Sequence, residues 1–195
     1  MSRVSAPPLH LPARHRAALV HTARVVAAIG ADQWSAPTPC TDWDVRAVVH
    51  HVVAGNRWAA RLGAGETIAA VGADLDGDLL GDDPVAAYDA SVEPAARVFE
   101  RPGAMGAMFA VSYGPVPGST YVGHRFADVL VHGWDLAVAT GQDTTLPEDL
   151  VEACWRVVEP QLGILAGSGM FDAPQPIPAD ADTQTRMLAK LGRRA

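Results

Sequence analysis

Apolar residues recur every three or four positions over several long stretches of this chain, and segments rich in Gly, Pro and Asp separate them. The first run places Ala18, Leu19, Thr22, Val25, Val26 and Ile29 on one face and closes at Gly30, which predicts a helix over 13–29. Residues 1–12, with Pro7, Pro8 and Pro12, read as a flexible lead, and Ser35–Cys40 as a proline-punctuated loop. Thr41 then offers an N-cap hydroxyl, with Asp44 three residues on. A second helix is expected to begin there and to run to about Leu62 through Val45, Val48, Val49, Val52 and Val53. So many valines would suit a strand, but they do not alternate, and the cap favours a helix.

Residues 63–83 are dense in Gly and Asp and read as a long loop. Its DLDGD run lacks the closing Glu of a calcium loop and reads as solvated acid. A third helix is expected from Pro84 to about Glu100, kinked or broken at Pro94. A Gly/Pro/Met segment follows, with a short extended piece at Met108–Tyr113. Ser119 then caps a fourth helix that ends at Thr140, with Gly141 beyond it. Pro147 opens a fifth helix reaching about Leu165. From Phe171 the tail is extended until a short helix near Asp182–Leu191. Helices joined by unequal loops, with no internal repeat, make one all-α bundle over residues 13–195 the expected architecture.

At 195 residues, 49% hydrophobic and 19% charged, the chain is long enough to bury a single core. A net charge of −7, with Lys190 the only lysine, argues against a nucleic-acid partner, because phosphate would be repelled. The opening residues form no signal-peptide core, and no uncharged run approaches ~18 residues, so a soluble cytoplasmic protein without a membrane partner is expected. Cys40 and Cys154 are too few for a disulfide framework. One bridge stays open, with reduced thiols the simpler reading.

Asp128 and His132 lie four apart in the fourth helix and share a face one turn apart. That spacing lets two side chains grip one ion, and His51, set in the valine stripe of the second helix, is the candidate third donor. Spacing alone also fits a plain Asp–His hydrogen bond and a satisfied core histidine. His124, a further turn back, is a candidate fourth ligand or base, whereas His50 points about 100° away from His51. Cys40, just before the second helix, is either a reactive thiol at a helix N-terminus or a small buried residue.

The segments PTPCTDWDVRAVVHHVVAGN (37–56) and FADVLVHGWDLAVATG (126–141) resemble the two signature stretches of the DinB-like metal-binding proteins. Within that group they are most similar to relatives of the mycothiol-dependent maleylpyruvate isomerase N-terminal domain. The stretch DTQTRMLAKLGRR resembles the ending of small single-domain actinobacterial members, whose final helix closes on Leu-Gly-Arg. The resemblance spans about Ala13 to Arg194. It implies a DinB-like four-helix bundle with an extra short C-terminal helix. It also implies one divalent metal on His51, Asp128 and His132, with Asp128 standing where the isomerase pattern has a glutamate. Two imidazoles and a carboxylate suit Zn²⁺, with Ni²⁺ or Fe²⁺ as alternatives, and leave a coordination position open. Trp43 and Trp134 would seal the bundle near the metal. Asp135 would orient a ligand imidazole or bond a neighbouring backbone.

For function, the resemblance implies a small-molecule thiol partner. Mycothiol would be the cosubstrate of a metal- and thiol-dependent S-transferase acting on an unidentified electrophile, with a homodimer left open. The alternatives are a non-catalytic metal-binding or stress-response protein and a scaffold with a vestigial site. A maleylpyruvate-type isomerase is less favoured, because that enzyme carries a further C-terminal domain for which this sequence leaves no room. Arg46, Arg57 and Arg125 are the few groups here that would dock a dicarboxylate.

Overall fold

The computed structural model describes residues 9–165 and 173–194. In chain order the elements are α1 (Leu11–Ala27), α2 (Val45–Gly63), α3 (Ile68–Leu75), α4 (Pro84–Glu100), β1 (Met108–Val111), β2 (Gly114–Pro117), α5 (Gly118–Thr140), α6 (Glu148–Val158), α7 (Leu162–Leu165) and α8 (Thr183–Lys190). Four helices make the bundle. Around its axis they follow the order α1, α5, α2, α4, so each packs on two neighbours. Helix α6 lies against α5, and α8 packs on α6. The main core joins Leu19, Val49, Phe126 and Leu130 to Cys154 of α6 and Met187 and Leu188 of α8. A smaller cluster of Phe99, Phe109 and Tyr121 fills the end beneath the β1–β2 hairpin.

The cap of α2 is Asp44 rather than Thr41, its Oδ1 accepting from the Ala47 amide at 2.8 Å. The three residues before it are held in a turn: Thr38 Oγ1 donates to the Trp43 carbonyl at 2.8 Å, and the Trp43 amide bonds the Cys40 carbonyl at 2.9 Å. That turn fixes Cys40 and Trp43 beside the start of α2. The expected long loop at 63–83 is broken by α3, whose first turn is capped by Thr67 Oγ1 accepting from Ala70 N. Val71 is fully buried and docks this short helix, which packs on α2. Burial of one apolar side chain there outweighs the weak local propensity of a Gly- and Asp-rich stretch.

Helix α4 passes through Pro94 without a break. The extended piece at Met108 gains a partner, β2, antiparallel and in register with Met108 opposite Pro117. Helix α5 starts at Gly118 with Pro117 in the cap position, so Ser119 does not cap it. The fifth expected helix ends early. Pro160, which has no amide proton, falls in a 3-10 turn (Glu159–Gln161) between α6 and α7. Phe171, where an extended tail was expected to begin, lies outside the described residues, as do residues 1–8 of the lead. Residues 173–178 have no regular structure, and the Gln175 amide bonds the Ala189 carbonyl of α8 at 2.9 Å. Cys40 and Cys154 are both free thiols. No helix of the described residues is long and apolar enough to cross a membrane.

Candidate metal centre

Where α2 faces α5, three side chains converge. His51 Nε2 lies 2.9 Å from Asp128 Oδ1, and His132 Nε2 lies 3.5 Å from the same oxygen. Donor atoms of all three are within 4.8 Å of one another. Zinc bonds of about 2.0–2.1 Å at tetrahedral angles put neighbouring donors roughly 3.3 Å apart. The two measured separations bracket that value, so the donor set fits a divalent cation.

The carboxylate is presented by its neighbours. Arg125 Nη1 donates to Asp128 Oδ2 at 2.7 Å, which leaves Oδ1 turned to the two imidazoles. The guanidinium is itself held by Asn56 Oδ1 at 3.1 Å and the Val52 carbonyl at 3.4 Å, and Asn56 donates onward to Ser91 Oγ at 2.9 Å. Gly55 makes room for this arrangement, because a Cβ there would fall 2.2 Å from Arg125 Nη1. Burial alone would raise the Asp128 carboxyl, but His51, Arg125 and His132 together hold it well below the usual carboxylate range. Burial likewise disfavours a charged His132. Asp128, Asp135 and Cys40 outweigh it and push this imidazole well above its ordinary value. The carboxylates on either side of His132 thus favour a positive charge on its ring.

His132 is gripped from its other side as well. Its Nδ1–H donates to Oδ2 of the fully buried Asp135 at 3.0 Å. Arg193 donates to both oxygens of Asp135, from Nε to Oδ1 at 3.1 Å and from Nη2 to Oδ2 at 2.8 Å, and Nη2 lies 3.0 Å from Cys40 Sγ. Cys40, His132 and Asp135 also converge closely enough to hold an ion. The Arg193 guanidinium already supplies the positive charge there, so the His51–Asp128–His132 group is the better candidate. Trp43 covers it from outside: its ring centroid is 4.7 Å from that of His51 and 5.7 Å from that of His132. Trp134, by contrast, is buried in the main core.

His124 does not join this cluster. Its Nε2 faces Gln161 Oε1 at 2.9 Å and its Nδ1 faces the Tyr113 hydroxyl at 2.8 Å. Gln161 Oε1 only accepts, so Nε2 carries the proton and Nδ1 accepts from Tyr113. Both ring nitrogens are thus occupied, and the expected fourth ligand or base is instead a tie between the hairpin, α5 and the turn after α6. His50 bonds the Gly77 carbonyl at 2.8 Å, away from the site. The three arginines considered for docking a dicarboxylate have protein partners: Arg46 holds Asp78, Arg57 the Leu79 carbonyl and Arg125 Asp128. Sequence reasoning missed Arg193, whose contact with Cys40 spans 153 positions. The only signal was the Leu-Gly-Arg ending.

Comparison with known proteins places the chain in a family. The family described as "Mycothiol maleylpyruvate isomerase N-terminal domain" matches residues 15–137. Two uncharacterised proteins, from two strains of Mycobacterium tuberculosis, are each 37% identical over 184 residues, covering 92% of this chain and 95% of theirs. The crystal structure of the mycothiol-dependent maleylpyruvate isomerase superposes with a TM-score of 0.63 at 19% identity, covering 89% of this chain and 80% of that one. A histidine-to-alanine mutant of the isomerase gives a TM-score of 0.63 at 17% identity, over 83% and 72% of the two chains. At such identities the structures speak for the fold, a DinB-like four-helix bundle here extended by a short C-terminal helix. Sequence and fold agree, and the chain belongs to the mycothiol maleylpyruvate isomerase N-terminal domain family.

Proposed function

We propose that this protein holds one divalent cation, zinc by preference, on His51, Asp128 and His132, and uses the site to activate a low-molecular-weight thiol for transfer to an electrophile. Mycothiol, after which both the family and the superposed isomerase are named, is the thiol this reading favours. A bound cation would supply Lewis acidity that holds a coordinated thiol as its nucleophilic thiolate at neutral pH. The chain's own residues do the rest. Arg125 holds Asp128 with one oxygen free. Asp135 holds His132 by Nδ1 and leaves Nε2 for the site. Trp43 shields both imidazoles on the outer side.

One observation carries the choice of an activating over a purely structural site. Among the described residues only three protein donors converge on the His51–Asp128 side, because His124 is tied to Tyr113 and Gln161. Three protein donors leave a coordination position for an exogenous ligand, whereas structural zinc sites are closed by four. The test is cobalt substitution. Adding mycothiol, or a simple thiol analogue, should change the visible spectrum of the cobalt protein, and His132→Ala should abolish both cobalt uptake and the change. A cobalt spectrum indifferent to thiols would leave a structural metal protein, and no metal uptake at all would remove the proposal.

A further inference from the structure

The last turn of α8 is built to deliver one side chain. Leu191 is buried, and Gly192 has φ +83°, a left-handed conformation that suits glycine. The Gly192 amide bonds the Ala189 carbonyl at 3.1 Å, and the Arg193 amide bonds the Leu188 carbonyl at 2.9 Å. This pair of bonds is a Schellman motif, in which the glycine reverses the chain after the helix. The reversal turns Arg193 inward, and its side chain is only 6% exposed. The other end of α8 is pinned too. Gln184 Nε2 donates to the Thr144 carbonyl and Gln184 Oε1 accepts from the Leu146 amide, both at 2.9 Å. Both ends of the helix are thus tied, and the guanidinium is presented to one place.

That place is Asp135. Two guanidinium bonds lock the carboxylate plane, and Nη2 also touches Cys40 of the turn before α2. The locked carboxylate in turn receives His132 Nδ1–H at 3.0 Å. We infer that Arg193 is a positioning residue of the metal centre, acting through Asp135 to fix the ring and tautomer of His132, so that the Leu191–Gly192–Arg193 cap sets the metal affinity of a site on the opposite side of that imidazole. This inference rests on the metal reading above, and deepens it by making the C-terminal cap part of the centre. Partners that orient a ligand histidine commonly change metal affinity by about 10–100-fold when removed.

The experiment is zinc affinity by competition with a chromophoric chelator, on the full chain, for the parent, Arg193→Met and Arg193→Lys. Circular dichroism checks that each metal-free protein is folded at the assay temperature. Arg193→Met keeps the aliphatic stem and loses the bonds to Asp135, so zinc affinity should fall severalfold, toward the roughly tenfold that loss of a ligand's direct partner costs. Arg193→Lys keeps the charge but cannot bond both carboxylate oxygens in one plane, and should fall in between. A readout apart from affinity is the His132 Nδ1–H resonance in the zinc-loaded protein. In the parent it should be protected from exchange, and in Arg193→Met it should exchange with water. A folded Arg193→Met variant with parental affinity and a protected Nδ1–H overturns the inference. Should Arg193→Met fail to fold, parental affinity in Arg193→Lys does the same. A parent protein that takes up no zinc overturns the metal reading itself, and this inference with it.

Discussion

His15 is fully buried on α1, edge-on to Phe99 with ring centroids 5.3 Å apart. No described residue hydrogen-bonds either of its ring nitrogens. Burial, and after it the charges of Arg125 and Arg16, pull its pKa down to about 3. In the unfolded chain the same imidazole takes a proton near its ordinary value of 6.5. The unfolded state therefore binds the extra proton between these two values. Its protonation costs no stability above the upper one, and as pH falls from there toward 3 it removes roughly 1.4 kcal/mol per pH unit. His15→Leu should flatten that slope by about one proton and at pH 7 be neutral or stabilising, since it removes two unpaired polar atoms. Urea unfolding at several pH values between 7 and 4 reads both effects, and an unchanged slope would refute the account. Other residues were unequally legible. Helical spacing puts His132 and Asp128 on one face but also fits a plain hydrogen bond, and it is the resemblance of the signature stretches that singles them out together with His51. His15 looks like an ordinary polar position in the sequence, because only tertiary packing decides that its ring faces Phe99.

Helices were legible where a period and a length agreed. The helix expected from Pro84 to about Glu100 is found at Pro84–Glu100, with Asp83 as a cap that sequence reasoning missed. Two errors came from local rules that tertiary contacts overrode. Thr41 looks like a cap, but Thr38 draws the chain into a turn that delays α2 until Asp44. Helix α3 is eight residues long, and nothing in its composition shows that Val71 has a groove to enter. Asp44 belongs to this scale, since its carboxylate closes the first turn of α2 and steadies the segment that carries Cys40 and Trp43. Asp44→Ala should lower unfolding stability by roughly 0.5–2 kcal/mol. Asp44→Ser should recover most of that loss, because a hydroxyl can accept the same amide. Equal losses in both variants, measured by denaturant unfolding, would mean the side chain acts elsewhere.

At the scale of the molecule, a candidate centre built from two facing helices ties the bundle together when it is loaded. A ligand bound to the folded state alone at a hundredfold excess over its dissociation constant adds about 2.7 kcal/mol. For a domain of this size each kcal/mol shifts the melting midpoint by roughly 2–4 °C. Stripping metal with a chelator should thus lower the midpoint by about 5–10 °C, and restoring zinc should bring it back. A midpoint that ignores both treatments would speak against a cation bridging α2 and α5. The arrangement of the centre also has a consequence in time. Cys40 and Arg193 are 153 positions apart, and His51, Asp128, His132 and Asp135 fall between them. At synthesis rates of 5–20 residues per second, roughly 8–30 s separate the emergence of the first from that of the last. For much of that interval the early histidine has no carboxylate to share a cation with. On the proposed metal reading, loading is then a late event, and a nascent chain stalled within α4 should capture no zinc.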